Sequence, residues 1–306
     1  MTAVLLLTLL GCGPGHQDAP KDGAAQPGAP AVGGSTTIQN KGSDTMVNLA
    51  QVWAEEYRKV HPTVAIAVSG GGSGTGVAAL ENGTVDIANA SRELKAEEKE
   101  KIKQSSQKDA IEHVVAYDAL AVYVHKDNPI AQISKEQLAA IYGEGGKTDK
   151  WSDLGVTIPG CADGAIVRIS RQNNSGTYEF FREWTLGKGD FKLGSRDMQG
   201  SKDVVDAVSK TPCSIGYSGM GYKTAEVRWL PVTTADGTSA VEPSVDAVHA
   251  KTYPISRPLY MDTIGEASGE VARYIQWIES DIGQGIVEKA GFVPLMPAER
   301  KPVPTP

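Results

Sequence analysis

The sequence predicts an α/β fold with mainly parallel strands. From residue 35 onward, short apolar runs with strand character alternate with segments whose apolar residues recur at helical spacing. The apolar stretch 114–124 predicts a strand that is buried on both faces. The chain has 306 residues, of which 40% are hydrophobic and 22% charged, so it can bury a core of its own.

The predicted helices are recognised from their apolar faces. Apolar side chains recur at helical spacing along 46–57, and again along 271–282, which predicts one late amphipathic helix. Residues 92–108 alternate acidic and basic side chains, as is typical of a solvated helix face. In chain order, the predicted strands lie at 36–39, 64–68, 87–89, 114–124 and 166–170, and the predicted helices at 46–57, 77–80, 92–108, 134–142, 176–186 and 271–282.

The first 34 residues differ in composition from the rest. Residues 4–10 are apolar but shorter than the roughly 20 residues that span a bilayer, and they match the core of a secretory signal. The ending Leu-Leu-Gly-Cys resembles a bacterial lipobox, so residues 1–12 predict a signal with lipidation at Cys12. The alternative is a frayed apolar end, since no Lys or Arg precedes the run. Residues 13–34 predict a flexible tether that holds an extracytoplasmic domain at a membrane, in the periplasm or at the cell surface.

Two further cysteines and five histidines bear on redox and metal chemistry. In an exported protein the pair Cys161 and Cys213 favours a disulfide, with two buried free thiols as the alternative. The histidines show no metal-ligand spacing, and no carboxylate cluster accompanies them. The sequence therefore predicts neither a metal site nor a cofactor. The histidines are His16, His61, His113, His125 and His249.

Four turns rich in small polar residues lie between a predicted strand and a predicted helix. Each places hydroxyls and free amides at a helix N-terminus, where the positive end of the dipole favours an anion. Ligands of open α/β sheets bind beyond the carboxyl ends of the strands, so the turns predict one shared anion site. A single turn of this kind is more often a structural N-cap. The turns lie at 42–46, 72–76, 91–92 and 171–177.

The charged residues narrow the function further. The net charge is −7 and no basic run occurs, which excludes a nucleic-acid partner but not a small enclosed anion. Arg92 and Arg171 suit bidentate recognition of a tetrahedral oxyanion, with ordinary salt bridges as the alternative. A secreted phosphatase or serine hydrolase would use Ser73 or Ser175, but no histidine lies in any of the four turns to act as base. The sequence therefore predicts a binding protein and not an enzyme.

Seven short motifs occur in a characteristic order between Thr36 and Pro297. They are Gly-Ser-Asp-Thr-Met at 42–46, Ser-Gly-Gly-Gly-Ser-Gly-Thr-Gly at 69–76, Asp-Ile-Ala-Asn-Ala-Ser-Arg at 86–92, Lys-Asp-Asn-Pro at 126–129, Trp-Ser-Asp-Leu-Gly at 151–155, Asn-Ser-Gly-Thr at 174–177 and Tyr-Pro-Ile-Ser-Arg-Pro-Leu-Tyr at 253–260. Together they resemble the PstS-type phosphate-binding proteins of ABC phosphate importers. The resemblance implies a type II periplasmic-binding-protein fold, in which two α/β domains are joined by two crossing strands. The implied domain one is discontinuous, at 35–118 and 254–300, and domain two lies at 119–253.

The same resemblance implies a ligand, a partner and a site. The ligand would be inorganic phosphate, which a monomer delivers to the membrane permease of the importer. Sulfate or molybdate bound by the same fold is the alternative. The predicted binding residues are Ser43, Asp44, Thr45, Met46, Ser73, Ser91, Arg92, Arg171, Ser175, Gly176 and Thr177.

One position departs from the well-studied members of that family. They carry an aspartate that accepts the phosphate proton where this chain has Arg92. The acceptor would then be Asp44, our first choice, or Asp118 at the expected crossing strand. The structural alternative for Asp44 is that it caps the helix near Met46 or pairs with Arg92.

Overall fold

The computed structural model describes residues 36–304. The predicted signal, the tether and Cys12 lie outside the described residues. Residues 36–304 form eleven strands and nine α-helices. The strands are β1 Thr36–Gly42, β2 Val64–Ser69, β3 Ile87–Ala90, β4 Ala110–His125, β5 Val167–Arg171, β6 Arg196–Met198, β7 Ser214–Gly219, β8 Val227–Leu230, β9 Val232–Thr233, β10 Ala240–Val241 and β11 Ser256–Ile264. The helices are α1 Val47–Val60, α2 Ser73–Glu81, α3 Ala96–Ser106, α4 Lys135–Tyr142, α5 Gly176–Leu186, α6 Ser201–Ser209, α7 Val245–His249, α8 Gly269–Glu279 and α9 Asp281–Lys289.

Eight strands follow the order β2-β1-β3-β11-β4-β7-β5-β6 across one sheet, and β8 also pairs with β4. Both ends of the sheet are parallel, since β1 pairs in parallel with β2 and β3, and β5 with β6 and β7. The centre is antiparallel, because β4 and β11 run in opposite directions and pair with each other. The prediction of mainly parallel strands is therefore wrong at the centre, where the two crossing strands meet.

The long strand β4 is shared by two halves of the molecule. Its residues 110–119 pair with β11, and residues 120–125 pair with β7 and β8. The predicted burial of 114–124 on both faces is confirmed for residues 118–124, which are all buried, whereas Val114 and Tyr117 are only partly buried. We call lobe A the part built on β1–β3 with α1–α3, α8 and α9, and lobe B the part built on β5–β8 with α4–α7. Two α/β lobes joined by two crossing strands make up the predicted type II fold; the exact domain boundaries remain a prediction.

Each lobe has its own apolar core, and aromatic side chains fill much of both. In lobe A, Trp53 and Tyr57 on α1 are fully buried, as the helical spacing along 46–57 predicts. The Trp53 indole also donates to the Gly283 carbonyl at 3.0 Å, which ties α1 to α9. In lobe B, the Phe181 and Tyr217 rings stack with their centroids 3.8 Å apart. These cores support the strands whose ends carry the site.

The late amphipathic helix is in fact two helices. Helix α8 ends at Glu279, and Ser280 adopts an extended conformation before α9 begins at Asp281. The break changes the helical phase, so Ile282 lies on α9 with 51% of its surface exposed, whereas Ile278 is fully buried. A continuous helix over 271–282 is therefore a wrong prediction, because periodicity alone does not reveal a one-residue interruption.

Cys161 and Cys213 of lobe B are joined by an S–S bond of 2.05 Å. The bond closes a long loop, with a sequence separation of 52 residues. By the chain-entropy relation, a cross-link that closes a loop of that length stabilises the folded state by about 4 kcal/mol.

Among residues 36–304, no helix is both long and apolar enough to cross a bilayer.

Candidate functional site

The predicted turns come together because they end neighbouring strands. Strands β1, β2 and β3 are parallel neighbours, so the turns that follow them meet at one edge of lobe A. The Gly42 position needs glycine, because a Cβ there would lie 2.2 Å from the Asn89 carbonyl oxygen. This close approach lets the Ser43 amide donate to the same carbonyl at 2.8 Å. The turn after β5 faces this edge from lobe B.

Buried hydroxyl groups from both lobes meet between these turns. Thr45 Oγ1 lies 2.9 Å from Thr177 Oγ1, and Ser73 Oγ lies 3.4 Å from Ser91 Oγ. All four side chains are buried. A Cβ on Gly176 would lie 2.4 Å from Ser73 Oγ, so glycine is what allows the two lobes to approach here. We call Thr45, Ser73, Ser91 and Thr177, together with Ser201, Arg171 and Arg257, the hydroxyl–arginine cluster.

Helix N-termini surround the hydroxyl–arginine cluster. Helix α2 begins at Ser73 and α5 begins at Gly176, with Ser175 as N-cap. The Ser175 hydroxyl accepts from the Thr177 amide at 3.1 Å, so this hydroxyl caps the N-terminus of α5. Helix α6 begins at Ser201, which the sequence analysis missed. The strand before it, β6, is only three residues long and carries too little pattern to reveal the turn. The positive ends of these helices make the cluster favourable for an anion.

Arg171 lies at the end of β5, as predicted, and its side chain is fully buried. Its Nη1 donates to Ser201 Oγ at 3.0 Å, and its Nη2 donates to the Gln199 carbonyl at 2.7 Å. Asp44 Oδ2 lies 3.5 Å from the Arg171 guanidinium. Burial lowers the pKa of Arg171, and the nearby Asp44 carboxylate opposes that shift. Arg171 thus places positive charge beside the hydroxyls without solvent around it.

Arg257 is a second buried arginine in the hydroxyl–arginine cluster, and the sequence analysis did not assign it to the site. Its Nη2 donates to Thr177 Oγ1 at 3.0 Å, and its Nη1 donates to the Ser91 carbonyl at 3.0 Å. Arg257 pairs with Asp118 across the two crossing strands, with Nη2 2.8 Å from Asp118 Oδ2. Its place within the motif 253–260 was the available signal.

Burial disfavours the charged forms of both Arg257 and Asp118. It lowers the pKa of Arg257 and raises the pKa of Asp118, while the mutual attraction opposes both shifts. The Met220 amide also donates to Asp118 Oδ1, at 3.2 Å. A buried ion pair of this kind is strongly destabilised when only one member is removed.

Arg92 makes different contacts from Arg171 and Arg257. Its guanidinium forms a two-pronged ion pair with Glu98, at 2.8 and 2.7 Å, and its Nη1 also donates to the Glu93 carbonyl. These contacts are local in the chain, because Glu93 precedes α3 and Glu98 lies in the first turn of α3. The structure therefore brings Ser91 into the cluster, whereas the Arg92 guanidinium bonds to Glu98 and Glu93.

The remaining predicted residues stabilise the first turn. Asp44 Oδ1 accepts from the Gly71 amide at 2.9 Å, so Asp44 joins two turns and pairs with Arg171, not with Arg92. The Met46 amide donates to the Ser43 carbonyl at 3.0 Å, and the Met46 side chain lies in the core of lobe A. Ser43 and Met46 thus shape the turn that presents the Thr45 hydroxyl.

The chemistry of the hydroxyl–arginine cluster is that of a binding site for an oxyanion. It offers hydroxyls, helix N-termini and two guanidinium groups, each of which can donate hydrogen bonds to anionic oxygens. Two carboxylates, Asp44 and Asp118, partly balance the two arginines. Two lobes that enclose such a cluster between crossing strands define a solute-binding protein.

Comparison with known proteins agrees with that class. Residues 24–281 match the family model of the PBP superfamily domain. The phosphate-binding protein PstS of Pseudomonas aeruginosa is 36% identical, over 96% of this chain and 94% of the relative. PstS of Bacillus subtilis is 30% identical, over 96% of this chain and 92% of the relative. The chain belongs to the PstS family within the PBP superfamily.

A solved structure supports the same fold. It is a substrate-binding protein assigned to a phosphate ABC transporter of Clostridium perfringens, determined with bound phosphate. It superimposes with a TM-score of 0.73 at 29% identity and covers 85% of this chain and all of its own.

Proposed function

We propose that this protein binds inorganic phosphate between its two lobes and delivers it to an ABC importer outside the cytoplasm. The observation that carries the proposal is the pair of buried arginines, Arg171 and Arg257. They donate to the Ser201 and Thr177 hydroxyls of lobe B, which in turn lie against the Thr45 hydroxyl of lobe A. A small tetrahedral anion uses all these donors at once, because its oxygens point in four directions. The related proteins named for phosphate binding support the choice of ligand.

The donors suffice for useful affinity. A micromolar dissociation constant corresponds to about −8 kcal/mol. Each charge-assisted hydrogen bond contributes roughly 1.5–3 kcal/mol, so a few of them exceed the cost of association and of ordering the lobes. The buried setting strengthens these bonds further, since little water competes for the donors.

Hydrolysis of a phosphate ester is the competing function, and the surroundings of the candidate nucleophiles do not favour it. A serine nucleophile needs a base within hydrogen-bond reach. Ser73 Oγ instead accepts from the Ser91 amide at 3.1 Å, and Ser175 Oγ caps α5. Both hydroxyls are thus engaged with backbone amides, which supports binding without turnover.

A carboxylate in the site would explain how phosphate is distinguished from sulfate. Near neutral pH phosphate keeps a proton and can donate a hydrogen bond, whereas sulfate cannot, and a buried carboxylate repels sulfate. Asp44 accepts from Gly71 and lines a surface groove. Asp118 is fully buried beside Arg257, so we favour Asp118 over Asp44 as the acceptor.

Anchoring through a lipid on Cys12 completes the proposal, since it would keep the loaded protein near its permease. The motif Leu-Leu-Gly-Cys and the tether at 13–34 support it. Expression of the Cys12→Ser variant should move the protein from the membrane fraction to the soluble fraction. If both forms partition alike, the anchor is not this cysteine.

Calorimetry tests the ligand. Ligand-free protein, titrated separately with phosphate, sulfate, arsenate and molybdate, should bind phosphate at one site per chain and sulfate far more weakly. The Arg168→Ala variant is a matched control, because Arg168 lies on the same strand as Arg171 but pairs with Asp149 outside the cluster. A chromogenic phosphate ester should not be turned over. Absence of phosphate binding, or steady hydrolysis of the ester, would refute the proposal.

A further inference from the structure

Two turns clamp the lobes together at the rim of the cleft, beside the hydroxyl–arginine cluster. Asn174 lies on the turn of lobe B after β5. Its carbonyl accepts from the Gly74 amide at 3.0 Å, and its Nδ2 donates to the Gly71 carbonyl at 2.8 Å. Gly71 lies on the turn of lobe A after β2, and Gly74 lies in the first turn of α2, which follows that turn. Asn174 thus bonds to the opposite lobe with both its backbone and its side chain.

The fit between these turns is close. Gly72 has a φ of +89°, and a Cβ there would lie 2.6 Å from the Asn174 carbonyl oxygen. Thr75 Oγ1 donates to the Gly71 carbonyl at 2.6 Å, so the carbonyl that accepts from Asn174 is already fixed in place. The glycine turn is therefore shaped to receive Asn174 only when the two lobes are close together.

Asn174 is linked to the cluster by its neighbours in the chain and not by its own contacts. It precedes Ser175, the N-cap of α5, and the turn that it grips leads into Ser73. Its own side chain is solvent-exposed. Water can replace its hydrogen bonds when the lobes separate, so each bond favours the closed state only modestly.

We propose that Asn174 is a positioning residue that lengthens the time a bound oxyanion stays in the site, by holding the lobes closed without touching the ligand. The proposal rests on the proposed function, because it needs a ligand that the cleft encloses. Binding to the open form does not involve the Asn174 bonds, whereas release requires that they break. The predicted effect is therefore on the dissociation rate and not on the association rate.

Stopped-flow kinetics with inorganic phosphate separate these rates. Asn174→Ala should raise the dissociation rate roughly threefold to tenfold, as expected for one hydrogen bond, and leave the association rate within about twofold. Asn48→Ala is the matched control, because Asn48 is exposed and lines the groove that Gly71 also lines. Gly72→Ala should act like Asn174→Ala, since its Cβ would push Asn174 away. Circular dichroism establishes that each variant is folded.

The outcomes distinguish the two proposals. If the wild-type protein binds phosphate and Asn174→Ala releases it at the wild-type rate, the positioning role is refuted and the proposed function stands. A slower association with unchanged dissociation refutes it too, as does an equal effect of Asn48→Ala. If the wild-type protein does not bind phosphate, both proposals fail together.

Discussion

Two ion pairs of this protein, Arg257–Asp118 and Arg92–Glu98, resemble each other locally but differ in their surroundings. In the first pair both side chains are at most 1% exposed, whereas in the second they are 9% and 16% exposed. Besides its ion pair, Arg257 donates hydrogen bonds to the Thr177 hydroxyl and the Ser91 carbonyl. Arg92 donates instead to Glu98 and to the Glu93 carbonyl. The comparison teaches that the carboxylate partner of an arginine decides which groups its guanidinium reaches, so we expect Arg92 to contribute less to the site than Arg257.

Removal of Arg257 should have the largest effect on the molecule. Arg257→Ala leaves the buried Asp118 unpaired, which should lower the free energy of unfolding by about 3–5 kcal/mol. Phosphate binding should weaken as well, and calorimetry together with urea unfolding measures both. The double variant Arg257→Met, Asp118→Leu should recover most of the stability but not the binding. Wild-type affinity in the double variant would show that Arg257 does not serve the site.

Arg171→Ala should weaken phosphate binding by about 2–5 kcal/mol, because the bound anion loses the buried positive charge of the guanidinium beside it. That corresponds to a loss of affinity of roughly 30-fold to several-thousand-fold. Stability should change less than in Arg257→Ala, since the partner Asp44 is 13% exposed and can be hydrated. Titration of Arg171→Ala beside Arg168→Ala checks this, and equal affinities would remove Arg171 from the site.

Substitution of the two aspartates sharpens the comparison for selectivity. Asp118→Asn should narrow the ratio of phosphate to sulfate affinity by about tenfold, or ~1.4 kcal/mol, because an amide does not repel sulfate. Asp44→Asn is a matched control, because it removes the negative charge of the carboxylate that pairs with Arg171, the other buried arginine. Asp44→Asn should change the ratio of phosphate to sulfate affinity less than Asp118→Asn does. If Asp44→Asn narrows the ratio more than Asp118→Asn, the acceptor is Asp44, as the sequence analysis expected.

Arg92→Ala should have the smallest effect on binding. Its guanidinium pairs with Glu98, so we expect the phosphate affinity to change by less than about fivefold, or ~1 kcal/mol. Glu98→Gln is the companion variant, since it frees Arg92 without removing it. A loss in Arg92→Ala as large as that in Arg171→Ala would show that Arg92 leaves Glu98 to reach the ligand.

Local patterns in the sequence predicted the elements that build the site. Strand–helix alternation placed β1 to β5, and apolar spacing placed α1 along 46–57, because both depend on residues near one another in the chain. The turns that carry Thr45, Ser73, Ser91 and Thr177 were found for the same reason. Short elements such as β6 carried too little pattern to be predicted, and the Ser201 hydroxyl was missed with it.

The sequence by itself thus determined the α/β class and the polar turns that end its strands, since a helix N-terminus and its cap are made by adjacent residues. Only the tertiary structure decided which arginine enters the hydroxyl–arginine cluster. Arg257 and Asp118 are 139 residues apart and meet because β11 pairs with β4, whereas Arg92 reaches Glu98 six residues away. The physical reason is that burial selects among possible ion pairs: a charge stays inside only where fixed partners offset its desolvation, and those partners are set by strand register.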